Sequence, residues 1–208
     1  NAMGCSKNIV QRHSVGIATL IMTQNPKSLM SEFPSLKLTK PIVLVGLMGC
    51  GKSTIGRRLA TKANLNFADT DDEIERAAGM TISDIFARYG ESHFRDLERR
   101  VIVRMLDHGQ GVLATGGGAF MNDETRAAIQ EKAISIWLDA DIPTLVERAG
   151  RRSHRPLLKD RDAATVLREL ATVRNPIYAQ AHLRVSSASD PHDVTVRSIL
   201  EAISTCNA

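Results

Sequence analysis

The chain has 208 residues, of which 43% are hydrophobic and 4% are aromatic. This length suits one domain with a sizeable hydrophobic core. The formal net charge is +4, but residues 1–40 contain five basic residues and one acidic residue, whereas the rest of the chain is balanced. The excess positive charge therefore belongs to an N-terminal segment, and the remainder gives no electrostatic reason to expect binding to nucleic acid.

The three cysteines are far apart and show no C-x-x-C spacing. This pattern excludes a disulfide framework and a cysteine-rich zinc site, and it suits a reducing compartment. No apolar run approaches the ~18 residues that a membrane span requires. We therefore expect a cytoplasmic protein that makes no use of a membrane.

Residues 1–38 are basic and poor in acidic residues, and Asn1-Ala2 before Met3 resembles the remnant of a removed tag. We expect a disordered N-terminal extension over residues 1–38 and a globular domain over residues 39–208. A transit peptide over residues 3–38 is the alternative, and it would direct the protein to an organelle.

Short apolar runs alternate with amphipathic segments from residue 40 onward. The predicted strands cover residues 41–46, 66–69, 111–116, 133–138 and 182–186. The predicted helices cover residues 52–63, 72–78, 81–89, 91–108, 122–130, 141–149, 162–180 and 190–204. Near-continuous apolar strands that alternate with helices predict an α/β fold, with a parallel sheet covered by helices on both faces.

The first strand leads into residues 46–54, G-L-M-G-C-G-K-S-T, which match the phosphate-loop pattern G-x-x-x-x-G-K-[ST]. Glycines let successive N–H groups surround a polyphosphate, and the following helix directs its positive end at the same anion. Lys52 supplies a cation, and the Ser53 hydroxyl can bind Mg²⁺. Cys50, beside Lys52 and a helix N-terminus, is expected to be a reactive thiolate, with a thiol shielded by packing as the alternative.

The second strand ends at Asp69, followed by Thr70 and Asp71. Ligands in such sheets bind beyond the carboxyl ends of the strands, so both carboxylates are expected near the phosphates. On an extended strand end they would point in opposite directions, Asp69 toward Mg²⁺ and Asp71 toward an acceptor hydroxyl. A solvated turn is the alternative.

Three further segments carry candidate ligand contacts. Arg95 and Glu98 are three residues apart on a helix and share a face, although a surface ion pair is the usual outcome. The triple glycine at residues 116–118 indicates close approach of the backbone to a ligand. The basic segment at residues 150–158 suits a lid over phosphates, and Arg174 follows on the next helix.

The motifs G-x-x-G-x-G-K-S-T, D-T-D, F-R-x-x-E, G-G-G and R-P-L-L occur in this order from residue 46 to residue 158. In this respect the chain resembles the shikimate kinases from about residue 40 to the C-terminus. The resemblance implies a three-layer P-loop kinase fold with a five-stranded parallel sheet in the order 2-3-1-4-5 and a lid. It also implies a monomer that transfers phosphate from ATP to the 3-hydroxyl of shikimate, with Mg²⁺ as cofactor.

Carried over to this sequence, the resemblance assigns ATP binding to the phosphate loop and to two arginines. The phosphate-loop residues are Gly49, Cys50, Gly51, Lys52, Ser53 and Thr54. Arg155 would reach the ATP phosphates from the lid, and Arg148 would stack on adenine. Ser53 and Asp69 would hold Mg²⁺, and Lys52 and Arg155 would act in catalysis.

For the acceptor, the resemblance makes Asp71 the catalytic group that holds the substrate hydroxyls and acts as a base. Arg95 and Arg174 would bind the substrate carboxylate. The remaining pocket residues would be Glu98, Gly117 and Gly118. A kinase of the same fold for another acceptor, such as gluconate or a nucleoside monophosphate, and a non-catalytic ATP-binding module are the alternatives.

Overall fold

The structure, a computed structural model, describes residues 38–109, 111–150, 162–187 and 191–206. Nearly all of the predicted N-terminal extension and most of the predicted lid, Arg155 included, lie outside the described residues. The strands are β1 (Ile42–Val45), β2 (Asn66–Asp69), β3 (Gly111–Ala114), β4 (Ile134–Asp139) and β5 (Leu183–Ser186). The α-helices are α1 (Lys52–Ala63), α2 (Thr70–Ala78), α3 (Ile82–His108), α4 (Asp123–Lys132), α5 (Ile142–Gly150), α6 (Ala163–Tyr178) and α7 (His192–Cys206).

The five strands form one parallel sheet in the order β2-β3-β1-β4-β5, as the resemblance implies. All four residues of the central strand β1 are fully buried. Because successive side chains of a strand point to opposite faces, this burial requires both faces of the sheet to be covered. Ile42 is level with Val112 on one side and Ile134 on the other, so these strands end at the same edge. The predicted fold class is confirmed.

The start of α2 differs from the sequence-based prediction for a local reason, whereas the predicted break at Gly90 is present. Helix α2 begins at Thr70 rather than at residue 72, because the Asp69 side chain caps it by accepting a hydrogen bond from Asp71 N. The two helices predicted around Gly90 are confirmed: Gly90 has non-helical dihedral angles and separates the two segments of α3 by a kink. Gly90 has φ 80° and ψ 175°, a conformation that a side chain disfavours.

The apolar interior consists of two clusters. The large one surrounds the sheet and includes Leu47 beside the phosphate loop and Tyr178 at the end of α6. The small one joins α2 to α3 through Ile74, Ile85, Phe94 and Val101. A partly buried methionine, Met105, packs against both clusters. The segments that carry Asp71, Arg95 and Glu98 therefore pack on the small cluster, whereas the C-terminal part of α3 joins the large one through Ile102 and Leu106.

In the part of the chain that the structure describes, every helix is too short or too polar to cross a lipid bilayer.

Candidate active site

The phosphate loop follows β1 and leads directly into α1, which begins at Lys52. The Lys52 ammonium donates hydrogen bonds to Gly46 O at 2.8 Å and Leu47 O at 3.0 Å, so its charge is held over the loop. Gly49 and Gly51 have φ of 86° and 95°, within the region that favours glycine. Ser53 and Thr54 lie in the first turn of α1, where free N–H groups and the helix dipole favour an anion. The predicted site thus has the backbone geometry that phosphate binding requires.

Ser53 and Asp69 meet at the edge of the sheet. Ser53 Oγ donates a hydrogen bond of 2.6 Å to Asp69 Oδ2. The other carboxylate oxygen, Oδ1, caps α2 and is thereby fixed. A hydroxyl and a carboxylate oxygen are ligands of the hard, oxygen-preferring kind that Mg²⁺ takes alongside phosphate and water. The residues present therefore fit a magnesium ion next to the phosphate loop.

Asp71 does not lie on an extended strand end, as the sequence suggested, but in the first turn of α2. Its carboxylate faces that of Glu98: a Cβ atom placed on Gly116 would lie 2.9 Å from Asp71 Oδ1 and 2.9 Å from Glu98 Oε1. Burial, reinforced by the charges of Asp69 and Glu98, raises the pKa of Asp71 to about 6. A carboxylate with this pKa is ionised at neutral pH and is a stronger base than an ordinary aspartate.

The Arg95–Glu98 pair is more than the surface ion pair that its spacing usually gives. Arg95 Nη1 donates a hydrogen bond of 2.8 Å to Glu98 Oε2, and the Glu98 side chain is only 2% exposed. Burial raises the pKa of Glu98, and the charge of Arg95 opposes this shift. Among the described residues, Glu98 Oε1 has no hydrogen-bond partner. An acceptor oxygen of this kind is available to a ligand donor or to water.

Two guanidinium groups flank the triple-glycine turn. Arg174 Nη1 donates a hydrogen bond to Gly117 O at 3.2 Å. A Cβ atom on Gly118 would lie only 2.6 Å from Arg95 Nη1, so no larger residue fits there without moving the arginine. Two arginines from different helices therefore meet at one turn, which is suitable for recognising a carboxylate.

At the other end of the phosphate loop, Arg148 Nη1 donates to Ser187 O and to Ser187 Oγ, both at 3.2 Å. Ser187 Oγ in turn donates to Cys50 O at 2.7 Å. The Cys50 side chain is fully buried, with the Lys52 ammonium 3.7 Å from its sulfur. The prediction of a reactive thiol is therefore wrong, because packing shields the Cys50 sulfur from solvent, as the alternative held.

Sequence reasoning missed three buried polar residues at this site, Thr70, Tyr178 and Ser187. Thr70 Oγ1 accepts a hydrogen bond from Gly116 N, and the Tyr178 hydroxyl donates to Gly117 O. Tyr178 follows Arg174 by four residues, a spacing that places both on one helix face and that a sequence reading could have used. Ser187 has no comparable signal, because its partner Cys50 is 137 residues away.

Comparison with known proteins agrees with this geometry. A family model described as "Shikimate kinase" matches residues 48–204. A shikimate kinase of Caulobacter vibrioides is 55% identical over 169 residues, which are 81% of this chain and 84% of that protein. The solved structure of a shikimate kinase from Acinetobacter baumannii in complex with shikimate has a TM-score of 0.76 and 35% identity. The match covers 80% of this chain and 93% of the Acinetobacter chain.

A solved structure of a gluconokinase from Sinorhizobium meliloti has a TM-score of 0.52 at 18% identity. The match covers 80% of this chain and 93% of the gluconokinase chain. At that identity the likeness concerns the fold alone. The family model matches residues 48–204, and the two closer proteins each cover about four-fifths of the chain at 55% and 35% identity. The chain belongs to the shikimate kinase family.

Proposed function

We propose that this protein transfers the γ-phosphoryl group of ATP to the 3-hydroxyl of shikimate, giving shikimate 3-phosphate and ADP on the route to aromatic amino acids. The observation that carries the proposal is the meeting of Arg95, Arg174 and Asp71 around residues 116–118, next to a phosphate loop. Shikimate is a small carboxylate with several hydroxyls. The site offers two guanidinium groups to bind the carboxylate of shikimate, and the basic carboxylate of Asp71 to bind its hydroxyls.

Phosphoryl transfer requires alignment and charge stabilisation more than covalent help from the protein. Asp71 orients the acceptor hydroxyl and accepts its proton as the bond to phosphorus forms. Lys52 and Arg155 stabilise the charge on the transferred group, and Arg148 lies against the adenine. Mg²⁺, held through Ser53 and Asp69, neutralises charge on the phosphate oxygens when bound.

The carboxylate of shikimate is held by Arg95 and Arg174, and Glu98 holds Arg95 in place. The backbone of Gly117 and Gly118 forms the floor of this pocket. We further propose that the enzyme acts as a monomer in the cytoplasm, where its co-substrate ATP is available.

The acceptor is tested by ADP release with shikimate, gluconate and nucleoside monophosphates. We expect turnover with shikimate only; comparable turnover with gluconate would support the alternative kinase, and no turnover with any acceptor would support the non-catalytic module. Arg174→Ala should raise the shikimate KM about 10- to 150-fold, the effect of losing an ionic hydrogen bond, and leave the ATP KM within about twofold.

Arg174→Lys keeps the charge but loses the planar fork, so it should recover only part of the affinity. Arg168→Ala is the matched control, because Arg168 is exposed on the same helix. An Arg174→Ala variant that weakened ATP binding and spared shikimate would refute the carboxylate assignment.

A further inference from the structure

Tyr178 is held rigidly at the end of α6. Its side chain is fully buried. The ring stacks between Trp137 of β4 and Phe120 after the glycine turn, with centroid distances of 6.1 and 6.5 Å. Such contacts leave an aromatic ring little rotational freedom. The position of the hydroxyl is therefore set by the packing of three separate segments.

The Tyr178 hydroxyl and Arg174 share one acceptor. Both donate hydrogen bonds to Gly117 O, the arginine from Nη1 at 3.2 Å. A carbonyl oxygen has two lone pairs, so both donors fit together. Burial raises the pKa of the Tyr178 phenol well above its usual value, so at neutral pH the hydroxyl keeps its proton and can donate.

We infer that Tyr178 is a positioning residue that frees Arg174 to bind the substrate. A guanidinium that forms two parallel hydrogen bonds to a carboxylate turns its fork toward that group. Arg174 then gives up Gly117 O, and a carbonyl without a partner at a half-buried site is unfavourable. Tyr178 keeps this carbonyl paired while Arg174 moves. The inference rests on the proposed function, in which Arg174 binds the shikimate carboxylate.

Tyr178 does not act by touching substrate, since none of its surface is accessible. Tyr178→Phe removes only the hydroxyl and keeps the ring stack. In this variant Arg174 can bind the carboxylate only by leaving Gly117 O unpaired. We expect the shikimate KM to rise about five- to tenfold, the range of one neutral hydrogen bond, with the ATP KM within about twofold.

A double-mutant cycle with Arg174→Ala distinguishes this role from a structural one. Without the arginine no exchange occurs at Gly117, because Tyr178 is its donor both before and after shikimate binds. Adding Tyr178→Phe to Arg174→Ala should therefore change the shikimate KM less than twofold. A hydroxyl that merely stabilised the fold would give equal effects in both backgrounds, and that result would overturn the inference.

Equilibrium titration with shikimate, followed by the fluorescence of Trp137, gives a second readout that does not depend on turnover. Trp137 is the single tryptophan of the chain and lies against Tyr178. The dissociation constant for shikimate should rise about five- to tenfold when Tyr178→Phe is made in the wild-type chain. It should change less than twofold when Tyr178→Phe is added to Arg174→Ala. Tyr89→Phe is the matched control, because Tyr89 is 53% exposed on α3 and should leave both constants unchanged.

The cycle also separates failure of this inference from failure of the proposed function. If Arg174→Ala alone leaves the dissociation constant for shikimate unchanged, Arg174 does not bind the substrate carboxylate, and both the proposed role and this inference fail. If Arg174→Ala weakens shikimate but Tyr178→Phe raises the constant equally in both backgrounds, only the role of Tyr178 is refuted.

Discussion

Replacement of Asp71 by asparagine should make the protein more stable and less active. The pKa of this carboxyl rises from 3.8 to about 6, first through burial and then through the charges of Asp69 and Glu98. A shift of this size corresponds to roughly 3 kcal/mol at 1.36 kcal/mol per unit. Because the side chain is partly exposed, solvent screening reduces this free-energy cost of ionised Asp71 to about 1–2 kcal/mol.

The sign follows from proton linkage. Because the pKa of Asp71 is higher in the folded protein than in the unfolded chain, the folded state is favoured while the group is protonated. The destabilisation is absent below about pH 3.8 and complete above about pH 6. Asp71→Asn should therefore raise Tm at pH 8 by about 2–8 °C in a domain of this size. At pH 4.5 about a third of the gain should remain, because the carboxyl is then largely ionised in the unfolded chain but still protonated in the folded protein.

The same substitution removes the base that accepts the hydroxyl proton, so kcat should fall by about 10²-fold. Calorimetry at pH 8 and pH 4.5 and steady-state kinetics measure the two effects separately. Asp72→Asn is the control, because Asp72 lies in the same first turn of α2 but is exposed. A lower Tm of Asp71→Asn at pH 8 would refute the electrostatic reasoning, and retention of more than half of the wild-type kcat would refute the catalytic role.

Two predictions concern the nucleotide end of the site. Cys50 is fully buried, so a stoichiometric thiol alkylator should leave activity intact until the protein is unfolded. The test uses a chain with Cys5→Ser and Cys206→Ser, in which Cys50 is the remaining cysteine. Rapid inactivation that ATP prevents would contradict this prediction. Ser187→Ala removes the hydrogen bond to Cys50 O and one acceptor of Arg148, so the ATP KM should rise about three- to tenfold with the shikimate KM unchanged. Ser186→Ala, an exposed neighbour on β5, is the control, and equal effects of both variants would show that no specific contact is involved.

The sheet and its helices could be predicted well because their signals are local. Apolar runs of four to six residues between amphipathic segments correspond to β1 through β5 with boundaries within two residues. The phosphate loop is equally local, since its glycines, Lys52 and Ser53 are adjacent in the chain. Even the kink at Gly90 coincides with the boundary that its glycine suggested.

The prediction failed where a side chain competes with the backbone or where two distant segments meet. Asp69 caps α2 and so carries Asp71 into the helix, which no strand pattern reveals. The sequence places Cys50 beside Lys52 but does not say which way its sulfur faces. The contact between Ser187 and Cys50 depends on the approach of β5 to the phosphate loop, a tertiary event without a local motif.

The separation of the interior into two clusters means that the acceptor pocket has two supports. The phosphate loop, the glycine turn and Tyr178 belong with the sheet, whereas the segments of α2 and α3 that present Asp71, Arg95 and Glu98 rest on the small cluster around Ile74 and Phe94. Substitutions confined to that small cluster should therefore shift Asp71, Arg95 and Glu98 relative to a glycine turn and an Arg174 that stay with the sheet.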